Sequence, residues 1–166
     1  MIITGVDPGI QNTGIAALKI DNTSIELVTF KNIPTKNTDS FEKRLKAIYE
    51  NVIKFLQSYQ PEVVVFEQIF YSRNVKVALK MGHARGVALL AAANANVPIF
   101  EYSPREIKLA VTGNGNASKH QVQQMICHLL NLSSIPSTYD ITDAMAAAYC
   151  FCQRKKFKKL IDAAKS

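Results

Sequence analysis

The run Val63-Val64-Val65-Phe66 constrains the fold of this chain more than any other segment. Its β-branched residues and aromatic follow Pro61 without alternation, which suits a strand buried on both faces. Such a strand belongs to a sheet covered by helices on either side, and the rest of the chain supplies the parts. IITGVD, TGIAALKI and SIELVTFKNI read as three earlier strands, separated by the turn-forming DPGIQN and DNT. A helix is predicted from about Asp39 to Ser58, with Asp39 and Glu42 as a capping box. Phe41, Leu45, Ile48, Tyr49, Val52, Ile53 and Leu56 form its apolar stripe. A long Ala-rich helix follows, roughly Val75 to Ala95, and then the strand VPIFEY. Ser103-Pro104-Arg105-Glu106 opens another helix with Ser as cap, Pro at its first position and Glu at its third. After the loop TGNGNAS, a helix runs from Ser118 to about Leu130, and the last helix begins near Asp140. The sum is a mixed α/β sandwich, and 166 residues are enough for one domain with a full core.

Several classes are excluded early. No apolar run approaches the roughly 18–20 residues that span a bilayer. The start, MIITGVDPG, has neither the charged region nor the apolar stretch of a signal peptide. Cys127, Cys150 and Cys152 show no CxxC spacing and read as reduced core thiols of a cytoplasmic protein. The glycines near Asp7 match neither a Walker loop nor a dinucleotide fingerprint.

The net charge is +7, and it is unevenly placed. Residues 154–166 hold six basic side chains against one acid, so the chain divides into a body, 1–153, and a basic C-terminal tail, 154–166. Seven basic residues also lie between Glu67 and Asp140: Arg73, Lys76, Lys80, Arg85, Arg105, Lys108 and Lys119. Only Glu101 and Glu106 oppose them there. A basic body around a compact acidic spot is the distribution of an enzyme that grips phosphates.

That acidic spot consists of four carboxylates. Asp7 ends the first strand, where Pro8-Gly9 forces a turn that exposes its side chain at the sheet edge. Glu67 ends VVVF, and Asp140 and Asp143 share one face at the head of the last helix. Taken singly, each has an ordinary reading: a turn cap, a strand-end acid, a helix cap with a first-turn acid. Taken together they are anions that repel unless cations lie between them, and hard oxygens of this kind suit Mg²⁺ or Mn²⁺. Phe70 and Tyr71, just past Glu67, could stack on bases. His83, His120 and His128 have no mutual metal spacing, and His128 falls on an apolar helix face.

The segments GVDPGIQNTG, FEQIFYSRNVKVALKMGHARGVALLAAAN, VPIFEYSPREIKLAVTGNGNASKHQVQQMI and DITDAMAAAY are together specific. In order and spacing they resemble the RuvC family of bacterial Holliday junction resolvases, of the RNase H-like superfamily, to about Cys152. The resemblance implies a five-stranded mixed sheet of order 3-2-1-4-5 flanked by helices. It implies a Mg²⁺-dependent endonuclease that resolves four-way DNA (Holliday) junctions by paired symmetric nicks in recombination and repair. The products implied are 5′-phosphate and 3′-hydroxyl ends. It places Asp7, Glu67, Asp140 and Asp143 at the catalytic, metal-binding positions. Two Mg²⁺ per site are expected, with Mn²⁺ as a substitute. Phe70, Tyr71, Arg73, Lys76, Lys108 and Lys119 become the expected DNA contacts. A homodimer is implied, with the helix around Gly82 and Gly86 as its interface, served by the branch-migration motor proteins RuvA and RuvB. Three other readings stay open here: a related nuclease acting on RNA, a non-catalytic DNA-binding module, and an actin-like ATPase. The last would need a second Gly-rich phosphate loop and a longer chain.

Overall fold

A computed structural model describes residues 1–21, 24–68 and 75–163, with side chains through residue 156. Five strands and five helices follow one another: β1 (Ile2–Asp7), β2 (Asn12–Ile20), β3 (Ile25–Pro34), α1 (Phe41–Tyr59), β4 (Val63–Glu67), α2 (Val75–Asn94), β5 (Ile99–Tyr102), α3 (Pro104–Thr112), α4 (Lys119–Leu129) and α5 (Tyr139–Ala163). The sheet order is β3-β2-β1-β4-β5, as expected. β1, β2 and β3 form an antiparallel meander, whereas β4 runs parallel to both β1 and β5. The two parallel pairings carry helices α1 and α2 as their crossovers, because parallel neighbours cannot be joined by a tight turn.

The strand buried on both faces lies where the sequence places it. Along β4, Val63 and Val65 face the layer of α3, α4 and α5. Val64 and Phe66 face the opposite layer of α1 and α2. The two-residue period of a strand therefore feeds two separate cores. α5 is the main lid of the first core and presents Ile141, Ala144, Met145 and Ala148 to it, all buried. Two strand glycines let this helix come close. A Cβ on Gly5 would stand 1.9 Å from the carbonyl oxygen of Ala144, and one on Gly14 would stand 1.9 Å from that of Asp140. Only a residue without a side chain fits under a helix at that distance.

Helix starts divide into two kinds. Ser103 and Ser118 each complete a reciprocal capping box, with Glu106 and Gln121. The expected Asp39–Glu42 box does not form: α1 starts one residue later, on Ser40, whose side chain bonds Glu42 and caps no backbone N–H. Ser40 Oγ is taken by the nearer carboxylate, so the helix start relies on the packing of Ile48, Val52, Phe55 and Leu56. The basic segment from residue 154 continues α5 without a break to Ala163. Among the described residues no helix is long and apolar enough to cross a membrane.

Candidate active site

Asp7 and Glu67 are the last residues of adjacent parallel strands, paired just before them at Val6 and Phe66. Both side chains thus leave the sheet at its carboxyl edge, where open α/β sheets place their ligands. The turn after Asp7 is held from several directions. Thr13 Oγ1 donates to the Gly9 carbonyl at 2.9 Å. Thr35 Oγ1 and Arg44 Nη2 both donate to the Ile10 carbonyl, at 2.5 and 2.9 Å. Arg44 Nε also donates to Thr35 Oγ1 at 2.8 Å, which ties α1 to the turn. α5 delivers the other two acids: Asp140 lies in its first turn, and Asp143 one turn on. The positive end of the helix dipole partly offsets their charge.

The four carboxylates line a single cleft of about 400 Å³, together with Pro8, Gly9, Gln68, Ala78, Met81, Arg85, Pro104 and Lys119. Burial is the first reason Asp7 is pushed up to about 7 from 3.8; the charges of Asp143, Asp140 and Glu67 add to it, and Lys119 opposes it. Burial also raises Glu67, with Asp143 adding to the effect and Lys119, Lys108 and Arg85 opposing it. Asp143 is raised by burial too, while its bond to Lys119 pulls the other way. Lys119 Nζ stands 2.6 Å from Asp143 Oδ2 and 5.1 Å from the centre of the Tyr139 ring. Burial works against its charge, yet the bond to Asp143 and the nearby acids hold its ammonium above the ordinary lysine range.

Among the described residues, no three of the acids already converge on one point at ligand distance. The donor set nevertheless fits a hard divalent cation. The four acids offer carboxylate oxygens, drawn from three elements and mutually repelling, and among the described residues Lys119 is the one cation bonded to them.

The expected DNA contacts divide. Lys119 rims the cleft, and Lys108 joins it with Glu67 and Asp143 in an adjoining hollow of about 230 Å³. Lys76 is exposed at the start of α2 and lines neither space. Phe70, Tyr71 and Arg73 lie outside the described residues. Arg85, counted among the phosphate-gripping basic residues, is instead 8% exposed, and its guanidinium is engaged within the protein. His83, His120 and His128 are all exposed, including His128, for which the apolar helix face suggested the core. Sequence reasoning missed Gly5, Gly14 and Arg85. The two glycines had a signal, since glycine inside a strand marks close backbone approach; Arg85 had none.

A five-stranded sheet of this order, with acids from β1, β4 and the last helix gathered at its carboxyl edge, defines an RNase H-like nuclease. The family model described as Crossover junction endodeoxyribonuclease RuvC matches residues 3–151. The chain therefore belongs to the RuvC family and is an enzyme of that family. It is 44% identical to the crossover junction endodeoxyribonuclease RuvC of Pseudothermotoga lettingae over 152 residues, which cover 92% of this chain and 94% of that one. It is 41% identical to the RuvC of Alkaliphilus oremlandii, over 96% of this chain and 98% of the relative. Among solved structures it resembles Thermus thermophilus RuvC, with a TM-score of 0.85 and 29% identity over 95% of this chain and 97% of that one. The same protein in complex with Holliday junction substrate also aligns at a TM-score of 0.85, with 27% identity over 95% and 96% of the two chains.

Proposed function

We propose that this enzyme resolves four-way DNA junctions by hydrolysing one phosphodiester in each of two opposed strands. One observation carries the reading: acids from three separate elements meet in a cleft whose rim carries Lys119, with Lys108 in the adjoining hollow. The Thermus relative solved with a Holliday junction shares this fold end to end, which supports the same substrate here.

Asp7, Glu67, Asp140 and Asp143 would hold the Mg²⁺ ions, for which Mn²⁺ is a substitute. When bound, such ions make a water acidic at neutral pH and offset charge on the leaving oxygen. The chain's own residues supply the rest. Asp7, on the central strand and beside the other acids, would hold the metal together with them. Lys108 and Lys119 meet phosphate oxygens at the scissile position, and Lys119 exchanges its bond to Asp143 for one to DNA. Hydrolysis leaves 5′-phosphate and 3′-hydroxyl ends. Phe70, Tyr71, Arg73 and Lys76 extend the contact to the junction, a role taken from the family likeness.

Two cuts in a two-fold substrate suit a symmetric homodimer. α2 offers the surface. Ala84, Ala88, Ala91 and Ala92 face inward, while Gly82 and Gly86 border open space beside the exposed Leu79 and Leu90. RuvA and RuvB are the expected partners in junction processing, and three buried free thiols suit the cytoplasm.

The test is cleavage of a labelled synthetic four-way junction, beside linear duplex and an RNA–DNA hybrid, with Mg²⁺ and with EDTA. Paired symmetric nicks confined to the junction, lost with EDTA or Asp7→Asn, are expected. Tight binding without cutting would sink the carboxylate argument, and cutting of the hybrid would sink the substrate.

A further inference from the structure

Among the described residues Arg85, 8% exposed, is the least accessible of the charged residues. It rises from the alanine face of α2, where Ala84, Ala88, Ala91 and Ala92 need no charge to pack. Burying a guanidinium is unfavourable unless it is paired and hydrogen-bonded, so a merely space-filling role would favour an apolar residue. Here the donors have specific targets. Nη1 donates to the backbone carbonyl of Glu67 at 2.6 Å. Nη2 meets Glu101 Oε1, on β5, at 2.5 Å. The guanidinium carbon lies 5.3 Å from the centre of the Phe66 ring, one residue before Glu67.

The position of the first bond matters most. Pairing between β1 and β4 ends at Val6 and Phe66, so β1 does not fix the peptide that follows Glu67. On the β5 side, Gln68 N–H donates to the Tyr102 carbonyl at 2.8 Å. Arg85 holds the same peptide unit from its oxygen, through a rigid planar fork. Glu67 therefore leaves the sheet on a peptide clamped at both ends, one clamp from β5 and one from α2.

We infer that Arg85 is a positioning residue, which aims the Glu67 carboxylate into the cleft by fixing the peptide at the end of β4, with Glu101 holding the guanidinium in place. The inference rests on the reading of Glu67 as a metal ligand. Removing a group that orients a ligand typically weakens metal binding about 10- to 100-fold.

The experiment is a double-mutant cycle on the full chain, read by Mn²⁺ titration without DNA, followed by electron paramagnetic resonance. Arg85→Met should raise the Mn²⁺ Kd about tenfold, Arg85→Lys should recover much of that, and Glu101→Gln should give a smaller rise. Junction binding in EDTA should stay within about twofold of wild type, which general damage to the fold would not allow. In a Glu67→Gln background, Arg85→Met should add nothing. An unchanged Kd, or an equal loss with and without Glu67, overturns the positioning role. Should Arg85→Met fail to fold, Arg85→Lys takes its place in the cycle. A loss that depends on Glu67 is then expected, and none overturns the inference. If Glu67→Gln alone binds Mn²⁺ and cuts junctions like wild type, the metal-ligand reading fails instead.

Discussion

Asp7→Asn should make the metal-free protein more stable while abolishing its chemistry. The Asp7 carboxyl is pushed up to about 7 from 3.8, first by burial and then by Asp143, Asp140 and Glu67. A native value above the unfolded one means that the folded state keeps an extra proton between the two. Stability therefore falls as pH rises from about 4 through about 7, and stays low above that. At roughly 1.4 kcal/mol per pH unit, the ionised side chain opposes folding at pH 8 by at most about 4–5 kcal/mol. The cleft is open to water, which screens part of this, so a gain of about 2–4 kcal/mol is expected for an amide that cannot ionise. For a domain of this size that is roughly 5–15 °C in Tm. The assay is calorimetric melting in EDTA from pH 4 to 8.5, wild type against Asp7→Asn. The gap should be under about 1 kcal/mol near pH 4, where the wild-type carboxyl is also neutral, and widest above pH 7. Adding Mg²⁺ should stabilise the wild type more than the variant and narrow the gap. A variant that melts at or below wild type at pH 8, or a gap that does not change with pH, would refute the repulsion argument.

Three further outcomes follow from the packing. Gly14→Ala puts a methyl 1.9 Å from the Asp140 carbonyl, so α5 must shift; a loss of about 1–3 kcal/mol in urea titration, with impaired cleavage, is expected. Ser103→Ala removes the acceptor for Glu106 N–H and should cost about 1 kcal/mol in the same titration, leaving the rate of junction cleavage near wild type. Leu90→Glu places a charge on the exposed face of α2 beside Gly86; in sedimentation equilibrium the wild type is expected to form dimers and the variant monomers.

The sequence by itself determined most of the elements and where the acids stand on them. Unbroken VVVF demanded a doubly covered strand, and Val63 to Phe66 feed two cores in alternation. Ser103-Pro104-Arg105-Glu106 specified its helix start because a capping box closes within four residues. Asp7, Glu67, Asp140 and Asp143 stand at strand ends and a helix head, where each alone has an ordinary reading; only the family resemblance singled them out as a set, and the fold brings them into one cleft. Strand and cap signals are short-range, so they survive in one dimension. Asp39 against Ser40 shows where even short-range reading slips, since two neighbouring residues could each cap and only the local side-chain competition chose.

Only the tertiary structure decided how close those elements come and which charges are left for a ligand. Gly5 and Gly14 are ordinary strand residues until α5 lies over them, and the approach of Asp140 depends on both. Arg85 reads as one more basic residue in a basic stretch; the fold turns it inward, onto the end of β4 and Glu101 of β5. Lys119 and Asp143 lie 24 positions apart, yet they form one of the closest ion pairs among the described residues. Burial and through-space charge depend on partners that the chain brings together only when α5 packs across the sheet, and no local pattern carries that distance.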